Sequence, residues 1–269
     1  MRTKRVLTAI TAAAFAAVLA ACSSPAPTPT SSPSAPPAVP DTPTISGELS
    51  ISAAASLTKA FDEIATAFEA EYPDVDILPI EYDGSSTLAT QIIEGKPVDV
   101  FASADEGNLQ KVVDAGLLTG GGTLFATNTL VVVVPKGNPA GVTSIADLAD
   151  PAIRVVLCDV EVPCGKASTK LLELNGVALT PVSFEQNVTA VLTKVGAGEA
   201  DAGLVYATDV ARNADVESFV PDHAGEVINK YPLAALDAAQ NPEAAAAFVK
   251  FVTGPIAQGI LAELGFGKP

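Results

Sequence analysis

Three short stretches place small and hydroxyl-bearing residues where a strand signal gives way to a helix signal: Ala53-Ala54-Ala55-Ser56, Asp83-Gly84-Ser85-Ser86-Thr87 and Val162-Pro163-Cys164-Gly165. The first turn of a helix carries backbone N–H groups without partners inside the helix, and the helix dipole favours negative charge there. Serine hydroxyls at such a turn add further donors, so each stretch is suited to holding an anion. Each also fits a plainer role, in which Ser56 and Ser86 only cap their helices. Three turns of one kind in one chain point towards binding. Other reactive residues offer less. His223, the one histidine, stands beside Pro221-Asp222 and reads as a surface-loop residue. Asp99 and Asp105 flank a strand end, but no nucleophile and base are arranged around them. Asp209, three residues after Tyr206, fits a helix cap.

The elements that must position these turns alternate. Strand signals at Glu48–Ala53, Asp76–Tyr82, Val98–Ala102, Leu130–Pro135, Ile153–Cys158 and Ala202–Tyr206 are interleaved with helix signals. The helices are expected from Ser56 to before Pro73, over Thr87–Glu94, Leu109–Ala115, Lys166–Leu174 and Glu185–Val195, and after Asn241-Pro242-Glu243. Such alternation predicts open, mostly parallel α/β sheets, whose ligand crevices lie outside the C-terminal ends of the strands. The residues from 47 onward fit two lobes better than one sheet.

Composition narrows the function. The 269 residues carry a net charge of −16, with one His, three Cys and 48% hydrophobic residues. A polyanion partner needs a basic face that this balance does not supply, so no nucleic acid is expected. Zinc, haem and iron–sulfur sites lack ligands, no P-loop or dinucleotide glycine fingerprint is present, and no cofactor is expected. A secreted hydrolase built on Ser56 or Ser85 would need a base that one distant histidine does not provide.

The first segment is an address. Arg2, Lys4 and Arg5 precede the apolar run Val6–Ala21, which is too short to span a bilayer comfortably and reads as a secretory signal over residues 1–21. Its end, Leu19-Ala20-Ala21-Cys22, resembles the lipobox of bacterial lipoproteins, which implies cleavage before Cys22, lipidation of that residue and an extracytoplasmic, membrane-anchored protein. Losing the three basic residues takes the net charge to −19. Residues 22–46 then form a tether, with eight Pro, five Ser and four Thr between Ser23 and Thr44. In such a protein the sequon Asn187-Val188-Thr189 is taken as coincidence.

A resemblance covers the rest. Ala53 to Thr58, Gly84 to Ile92, Gly95 to Asp105, Leu130 to Lys136, Gly203 to Asp209 and Gly254-Pro255 to Phe266 closely resemble the substrate-binding proteins of bacterial molybdate importers, in order, over Gly47–Pro269. The resemblance implies a two-lobed periplasmic-binding-protein fold of type II, with a cleft that closes around a tetrahedral oxyanion, molybdate or tungstate. The implied contacts are the hydroxyl and amide of Ser56, the same pair of Ser85, the amides of Cys164 and Val188, and the hydroxyl of Tyr206. A fully deprotonated dianion offers only acceptors, and a site of hydroxyl and amide donors matches it without burying a cation. No protein group would ligate the metal itself. The resemblance further implies a monomer, not an enzyme, that delivers its ligand to an ABC permease.

Lobe one is expected over 47–126 and 231–269 and lobe two over 127–230, with crossings near Thr127 and Lys230. At the third turn the usual small residue is Cys164 here. With Cys22 committed to lipid, a Cys158–Cys164 disulfide is expected in an oxidising compartment, contributing about 2 kcal/mol by loop closure.

Overall fold

The computed structural model describes residues 44–211 and 213–269; the signal, Cys22 and the tether through residue 43 lie outside the described residues. β1 (Gly47–Leu49) and β2 (Ile51–Ala54) open the fold, and β2 is buried along its whole length. Ala60, Phe61, Ile64 and Phe68 fall on one face of α1 (Thr58–Glu71), and that face is buried. The helix stops before Pro73, because a proline disfavours helical backbone in the residue before it.

The stretch expected as one strand, Asp76–Tyr82, is two. β3 (Val75–Ile77) pairs with β1, while β4 (Glu81–Asp83) pairs with β2. Pro79 lies at the break and has no N–H to give a ladder. α2 (Ser85–Ile93), β5 (Val100–Ala102) and α3 (Glu106–Asp114) follow.

β6 (Thr123–Pro135) begins seven residues before its β-branched run, as the first leg of a ribbon between the lobes. Beyond it come β7 (Val155–Cys158), α4 (Pro163–Leu174), β8 (Ser183–Glu185), α5 (Val188–Gly196), β9 (Ala202–Tyr206), the single turn α6 (Ala207–Val210) and β10 (Val216–Phe219). The helix expected from Glu185 starts later: that residue ends a strand paired with β7, and Asn187 caps α5 by accepting the Ala190 N–H at 3.0 Å. β11 (Ile228–Ala235) returns along β6, and α7 (Pro242–Val252) and α8 (Pro255–Glu263) close the chain.

Apart from the separate β1–β3 pair, the strands form one hydrogen-bonded path in the order β4-β2-β5-β11-β6-β9-β7-β8, with β10 on the far part of β6. Pairings away from the ribbon are parallel, β2 with β4 and β5, and β7 with β8 and β9. The ribbon strands join them antiparallel. This places the C-terminal ends of the parallel strands of both halves, with their helix N-termini, at the middle of the molecule.

Two kinds of core lie on either side. On one, Phe61 packs tilted against Phe125 and edge-on against Phe248, and Tyr231 packs edge-on against Phe125 and Phe266. On the other, Leu130–Val134, Val155–Leu157, Leu171, Val191, Val195 and Leu204 form an aliphatic core, in which Tyr206 is the one aromatic among the buried described residues. Burying each such side chain is worth about 1.5–3 kcal/mol. Each half therefore has its own apolar interior, and the β6–β11 ribbon runs between them.

Candidate functional site

The five residues singled out by sequence all line one cavity, with Ala54, Ala55, Asp83, Gly84, Ala104, Val162, Pro163 and Asn187 completing its wall. The space between these residues is narrow, with room for about one water-sized sphere and far too little for a sugar or an amino acid.

Each turn presents its donors for a local reason. After β2 the chain takes a tight turn, Ala55–Leu57, preceded by Ala54, which offers no side-chain cap. Ser56 lies inside the turn rather than ahead of it, so its hydroxyl is free to meet the Tyr231 hydroxyl at 3.0 Å. Gly84 precedes α2 and likewise offers no cap; Ser85 is the first helical residue, and Ser86 the second. Neither serine caps, which removes the plainer role set out above.

The third turn is shaped by three residues. Pro163 starts α4 and has no N–H, so the first free amide belongs to Cys164. Cys164 is bonded to Cys158 at the end of β7, with Cα atoms 5.7 Å apart. Gly165 is required by contact: a Cβ there would lie 1.8 Å from the Asp159 carbonyl oxygen. Val188 is the first residue of α5, and Tyr206 ends β9. Burial pushes the Tyr206 hydroxyl well above its ordinary pKa, so it keeps its proton and remains a donor.

A second layer was not singled out by sequence. The Ala104 N–H donates to Ser85 Oγ at 2.9 Å. Asn229 Nδ2 donates to the Tyr206 hydroxyl at 2.9 Å and to the Ala104 carbonyl at 3.0 Å. Asn128 Nδ2 donates to Thr208 Oγ1 at 2.8 Å. The two asparagines face each other in register on β6 and β11. Their only mark in the sequence is an amide side chain within an otherwise apolar or β-branched strand.

The two halves touch across the cavity. Asn187 Nδ2 donates to Asp83 Oδ1 at 2.8 Å, and the same oxygen accepts the Gly84 N–H at 2.7 Å. Asp83 is the one carboxylate in the wall, and these two donors hold its Oδ1. Lys166 reaches Asp105 at 3.4 Å, and Lys59 Nζ donates to the Ala211 carbonyl at 2.9 Å. Such exposed contacts are worth little individually but together describe a closed cleft. The Asn187 side chain accepts from the Ala190 N–H as a cap and donates to Asp83, a structural use of the sequon asparagine.

The remaining candidates lie elsewhere. His223 sits on an exposed left-handed turn against Glu226 at 2.6 Å. Asp105 caps α3 by accepting the Asn108 N–H at 2.8 Å. Among the described residues no three His, Cys, Asp or Glu side chains gather as a metal site.

Asp209 accepts the Tyr206 N–H at 2.9 Å, which fixes the backbone that carries the site tyrosine. Desolvation pushes its pKa from 3.8 to about 7, against the lowering effect of the Tyr206 N–H and Lys59. A carboxyl that holds its proton longer when folded stabilises the fold at low pH and loses that contribution as pH rises through the folded value. The melting temperature is therefore expected to fall between pH 4 and about pH 7, and Asp209→Asn to flatten that slope in a calorimetric pH series. An unchanged slope in the variant would assign the pH dependence to other groups.

Comparison with known proteins agrees with this architecture. The family model described as bacterial extracellular solute-binding protein matches residues 49–267. Over 221 residues the chain is 45% identical to the molybdate-binding protein ModA of Mycobacterium tuberculosis, covering 81% of this chain and 84% of that one. Over 233 residues it is 32% identical to the molybdate-binding protein ModA of Escherichia coli, covering 82% and 89%. The periplasmic molybdate-binding protein of Azotobacter vinelandii superposes with a TM-score of 0.73 at 22% identity over 82% of this chain and 99% of that one, a likeness of fold. A type II binding-protein fold and near-complete coverage lead to one assignment: the chain belongs to the bacterial extracellular solute-binding proteins and is a transport protein, not an enzyme.

Proposed function

We propose that this protein captures molybdate, and tungstate with it, outside the cytoplasm and delivers the anion as a monomer to a membrane ABC permease. Lipid on Cys22 and the following tether would hold it at the membrane surface. One observation carries the reading: hydroxyls and amides from both lobes, with no cationic side chain, line one narrow cleft. The mycobacterial and E. coli relatives named for molybdate support the choice of anion.

The geometry accounts for binding without a buried cation. Uncapped helix starts at Ser85 and Cys164 supply amides already aimed inward, so little reorganisation accompanies binding. The Cys158–Cys164 bond holds the loop that offers the Cys164 amide. Closure then adds the donors of the second lobe to those of the first, so affinity and lobe closure are the same event.

Calorimetric titration of the chain from residue 45 with molybdate, tungstate, sulfate and phosphate tests this. Tight one-to-one binding of the first two alone is expected, and silence with both would refute it. Ser56→Ala and Ser85→Ala should each weaken molybdate binding by about 1.5–3 kcal/mol, the worth of one hydrogen bond to a charged group.

A further inference from the structure

We propose that Lys166, Lys170 and Lys230 form a capture site for the oxyanion at the mouth of the cleft, ahead of the inner cavity, and that Lys166 then closes this mouth by pairing with Asp105. The proposal rests on the oxyanion reading above and adds how a strongly acidic protein takes up a dianion.

A second, wider cavity of about 300 Å³ adjoins the first. Pro163 lines both. Asn229 stands in the wall of the outer one and donates to the Tyr206 hydroxyl at 2.9 Å and to the Ala104 carbonyl at 3.0 Å, two residues of the inner wall. The two spaces are therefore neighbours, and the outer one has room for an ion together with several waters.

The charge of this outer cavity runs against that of the chain. Its wall holds three lysines against two carboxylates, where the whole sequence has 15 basic to 31 acidic residues. Lys166 and Lys170 stand one turn apart on the same face of α4, and Lys230 lies on β11 of the ribbon. Facing them from lobe one are Asp105 and Glu106 at the start of α3. Asp105 is already engaged: its Oδ1 accepts the Asn108 N–H at 2.8 Å and the Asn108 side-chain amide at 2.9 Å. Among the described residues Lys170 and Lys230 pair with no carboxylate, and both are exposed. Their charge is free to act on an ion in the outer cavity.

At 0.1 M salt, charges more than about 10 Å away are screened, so an anion near the mouth responds to these ammonium groups rather than to the distant acidic surface. A cleft lined by one sign of charge raises association rates by about 10- to 1,000-fold. A lysine ammonium is a strongly hydrated point charge, suited to holding an ion loosely and through water. Inside the narrow cavity such a charge would hold any anion; at the mouth it speeds entry, while the uncharged donors within decide what stays.

Lys166 has a second use. Its Nζ lies 3.4 Å from Asp105 Oδ2, and the two residues come from different lobes. Lys166 is two residues beyond Cys164 and Asp105 is next to Ala104, so the pair forms beside the inner cavity. In an open cleft the pair is parted, and Lys166 adds its charge to the capture site. Closure neutralises it against Asp105 and shuts the mouth behind the ion.

The test uses the full chain purified in detergent, with radiolabelled molybdate at low and high sodium chloride. A chase with unlabelled molybdate gives the release rate, equilibrium dialysis the affinity, and their quotient the association rate. Lys170→Gln combined with Lys230→Gln should slow association about fivefold or more at low salt, leave release unchanged, and lose its effect at high salt. Asp105→Asn, which keeps the helix cap, should speed release about two- to fivefold without slowing association. An association rate unchanged at low salt, or slowed equally at high salt, would overturn the capture site, and unchanged release in Asp105→Asn would overturn the closing pair; both leave the oxyanion reading intact. Failure of the unmodified protein to bind molybdate would overturn that reading and the proposal together.

Discussion

Gly84→Ala is expected to weaken molybdate binding by about a hundredfold or more, some 2.7 kcal/mol, while leaving the stability of the unliganded protein nearly unchanged. Gly84 has φ −59° and ψ 132°, which any L-residue adopts, so an added methyl strains nothing locally. Its obstacle lies across the cleft: a Cβ there would sit 2.2 Å from the Gln186 carbonyl oxygen and 3.3 Å from Val162 Cγ1. Both belong to the other lobe, so the variant lobes cannot approach to the present distance. An anion bound to Ser56 and Ser85 alone would lose the donors of Cys164, Val188 and Tyr206. Calorimetry gives the affinity, and small-angle scattering with and without molybdate shows whether the variant still contracts. Wild-type affinity would mean that the close approach at Gly84 is not part of the liganded state.

Asp99→Ala should lower the unfolding free energy by about 3 kcal/mol or more, a loss to be read by denaturant titration. The buried carboxylate accepts the Ser50 N–H at 2.8 Å and the Ser50 hydroxyl at 2.6 Å through one oxygen. Its other oxygen takes the Gln240 N–H at 2.5 Å and the Asn241 N–H at 3.1 Å. It thereby fastens the link between β1 and β2 to the start of α7, and alanine would strand four donors at once. Burial pushes the carboxyl up, but the Ser50 hydroxyl and the three amides outweigh it and hold the pKa below its ordinary 3.8. A depressed carboxyl contributes stability above its unfolded pKa and loses it as pH falls through the folded value. Asp99→Asn should therefore be less destabilising in acid than at neutral pH. A loss under 1 kcal/mol for the alanine variant would show that water replaces the four bonds.

Together the two variants separate the parts of the molecule. Gly84 bears on how the halves meet, Asp99 on whether one half holds together. Asp99, which the sequence placed at a strand end without catalytic partners, is a tie between strands and a helix.

Much of this protein could be read from the chain alone, and the readable parts share a cause. Helix N-termini, small-residue turns and the Pro163 start are settled by a few neighbouring residues, so the turns bearing Ser56, Ser85 and Cys164 were visible as anion-binding candidates before any fold was known. The resemblance added Val188 and Tyr206, which no local rule would single out. Errors arose where pairing overrides local pattern: Asp76–Tyr82 splits because its halves pair with different strands, and Glu185 is strand because β7 lies beside it. Tertiary structure alone decided the convergence of five distant residues on one small cavity, the approach of Gly84 to Gln186, and the line of donors through Asn229 and Ala104. Those contacts join residues tens to more than a hundred positions apart, and they exist only because the ribbon of β6 and β11 sets two separately packed lobes face to face.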